Sequence, residues 1–348
     1  MRPAPPPALQ FSGGEPTLRE DLPDLIRRAR DLGFRNVQVD TNGIRIAGSA
    51  AYAKRLKDAG LQTLYLQFDG LTADVYEATR GRDLVAVKSR VLENCREAGI
   101  RSVVLVATLL KGINDGQMGE IVRFAADHFD VVRGVNFQPI AFTGAASEED
   151  VQRERITIPE LLEDIEDQTS GVIRKSDFYP VPCVVPFSDL VEAYTGLPQV
   201  RFTPHQHCGA ATYVFITDKG MVPINRMVDV ESFFRSIENL TEKLKKGGQL
   251  NKYLSLIEGI REMNDSFRKS EQGSSAQFWK LIGKTLVMQN FDALREFHWN
   301  ALFIGTMHFM DKYNYDLSRI QRCCIHYATP DGKLIPFCTY NSGPVYRE

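Results

Sequence analysis

Residues 10–17 read QFSGGEPT. Two adjacent glycines, a glutamate and a proline close a short apolar run (Ala8, Leu9, Phe11) and open an amphipathic one, TLREDLPDLIRRARDLGF. A strand that passes into a helix through glycine marks a βα unit. Gly13 and Gly14 let backbone approach a ligand with no Cβ in the way. Glu15 is a carboxylate suited to accept hydrogen bonds from an ammonium group. Pro16 suits a first helical turn, where its missing N–H costs nothing.

The unit repeats along the chain. Strand-like runs at 8–12, 36–40, 62–68, 102–109 and 134–140 alternate with helix-like ones. In the first helix Leu22, Leu25, Ile26, Ala29 and Leu32 recur at helical spacing. Thr17 and Glu20 resemble a capping box, and Gly33 stands where a C-terminal cap belongs. The second helix covers about 49–59 and stops at Gly60. The third, DLVAVKSRVLENCREAG, sets Leu84, Val91, Cys95 and Ala98 on one side and stops at Gly99; the fourth lies near 117–129. Strands alternating with helices predict an α/β fold built on a parallel sheet.

Ligands of such sheets bind at the C-terminal strand ends. Here these read Ser12-Gly13-Gly14-Glu15-Pro16, Asp40-Thr41-Asn42-Gly43, Gln67-Phe68-Asp69-Gly70, Lys111-Gly112-Ile113-Asn114 and Gln138-Pro139. All are polar or glycine-bearing and would face one mouth, which predicts a small-molecule site. Asn42 offers a donor and an acceptor to a sugar hydroxyl. Lys111 and Asn114 either line the site or form a turn, with the turn preferred.

The bulk properties narrow the class. With 348 residues and 43% apolar content, the chain can bury a sizeable core. Its net charge of −2 leaves no footprint for nucleic acid. No apolar run approaches the ~18 residues of a membrane span. MRPAPPPALQ reads as an extended proline segment rather than a signal peptide. The expected location is the cytoplasm, with the membrane periphery as the alternative.

The pattern changes after residue 141, so a boundary is placed near 145. Residues 1–145 form the first domain and 146–348 an accessory region. SEEDVQRERITIPELLEDIEDQTSG reads as helical, with Glu160 to Asp167 as a solvated face. Residues 231–300 read as mostly helical, with a charged hinge at TEKLKKGGQLNK. His298, Trp299, His308 and Met310 fall in an aromatic-rich helix, as core. Pro330-Asp331-Gly332 predicts a hairpin turn.

Six cysteines in a chain of this length are no disulfide scaffold. Cys95 lies on a helix among apolar neighbours and reads as core. Cys183, Cys208, Cys323, Cys324 and Cys338 lie off amphipathic faces, and adjacent Cys323 and Cys324 are not both expected to ligate one metal. An iron–sulfur cluster, a zinc site with His205, His207 or His326, and unligated buried thiols all stay open.

QFSGGEPTLREDL followed by VQVDTNGI resembles the radical S-adenosylmethionine enzymes. The resemblance implies a partial (β/α)6 TIM-like barrel, here missing its first strand. It implies that Gly13, Gly14, Glu15 and Pro16 hold the methionine amino group of S-adenosylmethionine and that Asn42 reaches its sugar. Arg80 would pair with the cofactor's carboxylate, or else be a surface arginine. Gln138 and Pro139 would reach the adenine side. The family's C-x3-C-x2-C loop for a [4Fe–4S] cluster occurs nowhere in the chain. N-terminal truncation is therefore expected, and that cluster only in a full-length protein, with a genuine cluster-free relative as the alternative.

The second half resembles the archaeal tetraether lipid synthase group, from FYPVPC through TPHQHCGAATYVFITDKG to RCCIHYATPDGKLIPFCTYN. That resemblance implies an auxiliary [4Fe–4S] cluster and favours Cys323 over Cys324. The available thiols assign it to Cys183, Cys208, Cys323 and Cys338. It further implies an electron donor such as a ferredoxin or flavodoxin, and a 5′-deoxyadenosyl radical that abstracts hydrogen to couple isoprenoid lipid chains. Radical methylation of a pterin or another small metabolite is the alternative. A non-catalytic metal-binding module is the alternative of another class.

Overall fold

The computed structural model describes residues 8–143, 146–196, 199, 201–246, 255, 258, 259, 261–263, 265, 266 and 301–342. The strands are β1 (Ala8–Phe11), β2 (Asn36–Thr41), β3 (Thr63–Gln67), β4 (Val103–Leu109), β5 (Val132–Pro139), β6 (Tyr179–Pro180), β7 (Ala210–Thr217), β8 (Gly220–Pro223), β9 (Ala301–Thr306), β10 (His326–Ala328) and β11 (Leu334–Pro336). The helices are α1 (Leu22–Asp31), α2 (Ile44–Ala47), α3 (Ala50–Asp58), α4 (Ala73–Arg80), α5 (Val85–Ala98), α6 (Met118–Asp127), α7 (Glu148–Glu154), α8 (Ile158–Gln168), α9 (Val185–Thr195), α10 (Ile224–Met227), α11 (Val230–Lys246), α12 (Leu317–Gln321) and α13 (Phe337–Ser342). Among the described residues no helix is long and apolar enough to cross a membrane.

The chain divides into two compact units. The first holds Met1–Ile140, Ser147–Thr169 and Leu302–Met307. Its sheet runs β1-β2-β3-β4-β5-β9, and every one of these pairings is parallel. β2 and β3 alternate buried and half-buried residues, whereas β4 is buried along nearly its whole length. A continuous apolar strand such as VVLVATL requires cover on both faces, which crossover helices supply. α5 does so with Val91, Leu92, Cys95 and Ala98 buried.

Four expectations need correction here. The sheet carries six parallel strands rather than five, because ALFIGT returns to it as β9 and pairs Gly134 with Phe303. A short apolar run reads equally as strand or buried helix, and periodicity cannot separate the two. His308 and Met310 accordingly follow a strand, in non-helical backbone; His298 and Trp299 lie outside the described residues. The boundary near 145 also moves, since 147–169 and 302–307 group with the first unit. Finally, α1 begins at Leu22, after a separate 3-10 turn at Pro16–Leu18. Thr17 and Glu20 form no capping box: Thr17 bonds Glu15, and Glu20 pairs with Arg45.

The second unit holds Ala141–Ala146, Ser170–Ala301 and His308–Glu348. β6, β7 and β8 pair antiparallel. α9 and α11 pack around Leu190, Val222, Met227, Phe233, Ile237 and Leu240. Of the hinge TEKLKKGGQLNK, the first six residues belong to α11, and GGQLNK lies outside the described residues. Pro330-Asp331-Gly332 does turn a hairpin, β10–β11, with Thr329 N–H donating to the Lys333 carbonyl at 3.0 Å.

Candidate active site

A cleft of about 430 Å³ opens in the first unit at the C-terminal ends of its strands. That volume falls within the range of small-ligand sites. β1 leads into it through Gly13, Gly14 and Glu15; β2 contributes Asp40, Thr41 and Asn42; β3 gives Gln67, β4 gives Thr108 and β5 gives Gln138. Arg80 and Arg82 form part of its wall. Of the eight cofactor-contacting residues expected from sequence, the cleft gathers Gly13, Gly14, Glu15, Asn42, Arg80 and Gln138, and Pro139 does not line it. Pro16 is buried at the start of the 3-10 turn and shapes the approach without lining it.

Glu15 is heavily committed. Its Oε1 accepts from Thr17 N–H at 3.0 Å, from the Thr17 hydroxyl and from the Thr41 hydroxyl at 2.6 Å. Its Oε2 accepts from Asn42 N–H at 2.8 Å. One carboxylate thus ties the end of β1 to the end of β2, and only Oε2 keeps room for another donor. Asn42 is half committed too: its Oδ1 accepts from Ile44 N–H at 2.9 Å, so its amide NH2 is the part left for a ligand. Gly43 next to it adopts φ +81°, and a Cβ there would stand 2.7 Å from Leu66 and 2.8 Å from Val91. Only glycine fits that turn. Beside Glu15, burial raises the Asp40 carboxyl above its ordinary range and the Glu15 charge adds to the rise; Ser12 opposes it with a hydrogen bond of 3.2 Å.

The third and fourth strand ends are knitted together beneath this floor. Asp69 is fully buried and accepts from Arg80 Nε at 2.6 Å and Nη2 at 3.1 Å, from Thr108 N–H at 3.1 Å and from Gln67. Arg80 is therefore neither a free surface arginine nor free to grip a ligand carboxylate with its Nε–Nη2 edge, because Asp69 holds that edge. Asn114, fully buried, donates to the Asp69 and Thr108 carbonyls. Lys111 pairs with Glu160 at 2.9 Å. Neither lines the cleft, so the fourth strand end enters it through Val106 and Thr108.

Asp40, Gln67 and Asp69 stand at strand ends expected to face the mouth, whereas Arg82, Thr108 and Lys88 are not singled out by the sequence. For Lys88 the signal was present. Leu84, Lys88, Val91 and Cys95 follow helical spacing on the buried face of α5, and Lys88 is 1% exposed.

The thiols are distributed differently from the expectation. In the second unit Cys183 lines a groove of about 730 Å³ with Tyr179, Val185 and Phe234, and burial raises its thiol to about 11. Cys208, Cys323 and Cys338 keep other company. The Cys208 carbonyl accepts from His308 N–H at 2.9 Å, and Cys338 Sγ from Met310 N–H at 3.3 Å. Phe337 N–H and Cys323 Sγ both donate to the Ile325 carbonyl, each at 2.9 Å. The Cys338 thiol is raised by burial first, then by Cys323 and Cys208 nearby. Among the described residues no three Cys, His, Asp or Glu side chains converge to hold a metal ion. The expected set of Cys183, Cys208, Cys323 and Cys338 is thus not assembled, and Cys183 sits in different surroundings from the rest. Cys95 is buried in the first unit's core, and its thiol is pushed up to about 12.

Comparisons with known proteins agree on the family. Over 341 residues, 97% of its length, the chain is 47% identical to a 7,8-dihydro-6-hydroxymethylpterin dimethyltransferase of Methanocaldococcus jannaschii, of which it covers 67%. It is 34% identical over 137 residues to a GTP 3′,8-cyclase of Limosilactobacillus fermentum, spanning 38% of this chain and 39% of the cyclase. A GTP 3′,8-cyclase of Marinobacter nauticus is 35% identical over 118 residues, 34% of each chain. The narrower resemblance to tetraether lipid synthases is not carried by these relatives, the longest match among them being named for a pterin. A model described as Radical SAM superfamily matches residues 5–125, the stretch that holds β1 to β4. With that match over the cleft-building strands and 47% identity along nearly its whole length, the chain belongs to the radical SAM superfamily.

Proposed function

We propose that the strand-end cleft binds S-adenosylmethionine and that the chain serves radical methylation of a pterin or a related small heterocycle. One observation carries the binding half: Glu15, Asp40 and the Asn42 amide share one cleft with Arg82, while Arg80 in its wall is held by Asp69. Carboxylates and guanidiniums in the same hollow suit a ligand that carries an ammonium, a carboxylate and sugar hydroxyls together. Glu15 Oε2 would take the ammonium and Asn42 Nδ2 a hydroxyl, while Gln138 would stand on the base side. S-adenosylmethionine supplies methyl-transfer and radical hydrogen-abstraction chemistry when bound. The chain's own residues orient it and hold its charged groups out of bulk water.

The residues present contain no C-x3-C-x2-C triplet, so they do not supply the ligands of the family's cluster. The electron that radical chemistry requires is not accounted for by these side chains. The substrate half rests on the name of the M. jannaschii relative, of which this chain spans 67%.

Calorimetric titration of the protein with S-adenosylhomocysteine tests the binding half. We expect saturable binding that weakens at least tenfold in Glu15→Ala, which is about 1.4 kcal/mol. Binding untouched by that change overturns the reading. For the substrate, the same titration is run with 7,8-dihydro-6-hydroxymethylpterin and with an isoprenoid ether lipid. Saturable pterin binding supports the proposal, and its absence overturns it, in favour of lipid synthesis where the lipid binds instead. Iron and acid-labile sulfide on anaerobically purified Cys→Ala variants test the auxiliary cluster; zinc in their place favours a metal-binding module.

A further inference from the structure

A buried lysine lies under the cleft and no step above uses it. Lys88 donates from Nζ to the Asn42 carbonyl at 2.7 Å, and its Nζ stands 5.7 Å from the centre of the Tyr76 ring. The Asn42 peptide is therefore gripped from two sides, with N–H on Glu15 Oε2 and C=O on Lys88. Thr41 Oγ1 accepts from Gly43 N–H at 3.0 Å, and Leu66 and Val91 wall off the glycine. The Asn42 N–H and C=O and the Gly43 N–H are thus all held, and with Oδ1 on Ile44 N–H the side-chain NH2 is the group left for a ligand.

We propose that Lys88 is the positioning residue of the nucleoside end of this cleft, its ammonium fixing the Asn42 turn so that the amide meets a sugar hydroxyl. The proposal rests on the S-adenosylmethionine reading above. An ammonium makes a charge-assisted bond, roughly twice as strong as a neutral one. The groups facing it are Asp69 after β3, Glu15 after β1, Arg80 on α4, Arg82 in the α4–α5 link and the Tyr76 ring. Burial, the largest influence, lowers the ammonium to about 8; the carboxylates oppose that fall and the arginines add to it. As pH rises through about 8, Lys88 loses its charge, and its charge-assisted bond to the Asn42 carbonyl becomes an ordinary neutral one.

The probe is 5′-methylthioadenosine, which keeps the nucleoside and has no group that titrates between about pH 6 and 10. Its affinity is measured by calorimetry across that range, with S-adenosylhomocysteine alongside at pH 7. The unaltered protein should lose about threefold to tenfold in affinity as pH rises through 8. Lys88→Met should bind about tenfold more weakly at pH 7 and show no such fall. Lys88→Arg, which keeps the charge and serves if Lys88→Met fails to fold, should bind within about threefold of the unaltered protein and stay flat. A fall that persists in Lys88→Arg, or a Lys88→Met protein indistinguishable from the unaltered one, overturns the proposal. Failure of the unaltered protein to bind either probe overturns the site reading and this one with it.

Discussion

Glu15 stabilises the site before any ligand arrives. Its carboxylate takes four donors from Thr17, Thr41 and Asn42, so it staples two strand ends together. Hydrogen bonds to a charged group contribute about 1.5–3 kcal/mol each, which makes this turn a stable platform rather than an adaptable loop. Lys88 works against stability, because folding carries its charge out of water. Its folded value of about 8 lies below its ordinary 10.5. Below about pH 8 both the folded and unfolded chains hold the proton, and the full burial penalty applies. Between the two values the unfolded chain binds more protons, so stability rises with pH there. The gain is on the order of 3 kcal/mol. Urea unfolding at pH 7.5 and pH 10 should show it, and Lys88→Met should remove it; a parallel gain in that variant would assign the effect elsewhere.

At the scale of elements, β9 fits because glycines make room for it. A Cβ on Gly134 would come 3.1 Å from the Phe303 carbonyl oxygen, and one on Gly305 2.5 Å from the Phe303 ring. Gly305→Ala should therefore cost about 1–3 kcal/mol by overpacking, measured by urea unfolding. Phe303→Ala in the same chain should make that substitution cheaper by at least about 1 kcal/mol, since the two share one space. Strictly additive losses would refute the packing account.

The same strand shows what sequence can carry. GGEP and DTNG were legible because glycine, a capping carboxylate and an Asx turn are local chemistry, and the five strand ends followed from the βα rhythm. ALFIGT was not legible as sheet, because its partner stands far upstream and nothing local announces a parallel pairing. The Arg80–Asp69 pair was hidden for a related reason: a bidentate partner eleven residues away depends on where the intervening turn sends the chain. The surroundings of Cys183 were not legible either, because residue type says nothing of direction.

For the whole molecule, a ligand that binds only the folded chain must raise its stability. In differential scanning calorimetry S-adenosylhomocysteine should do so by about 2.7 kcal/mol at a hundredfold excess over Kd. An unfolding profile that the ligand leaves unmoved would contradict binding in the cleft. β9 has a consequence for biosynthesis. A ribosome adds roughly 5–20 residues each second, and 162 positions separate Pro139 from Ala301 (301 − 139). For some ten to thirty seconds the nascent polypeptide presents β5 with an unzipped backbone rim, a template for stray pairing. Translation speed and chaperone supply, rather than the strength of the finished core, should set how much of this protein escapes inclusion bodies.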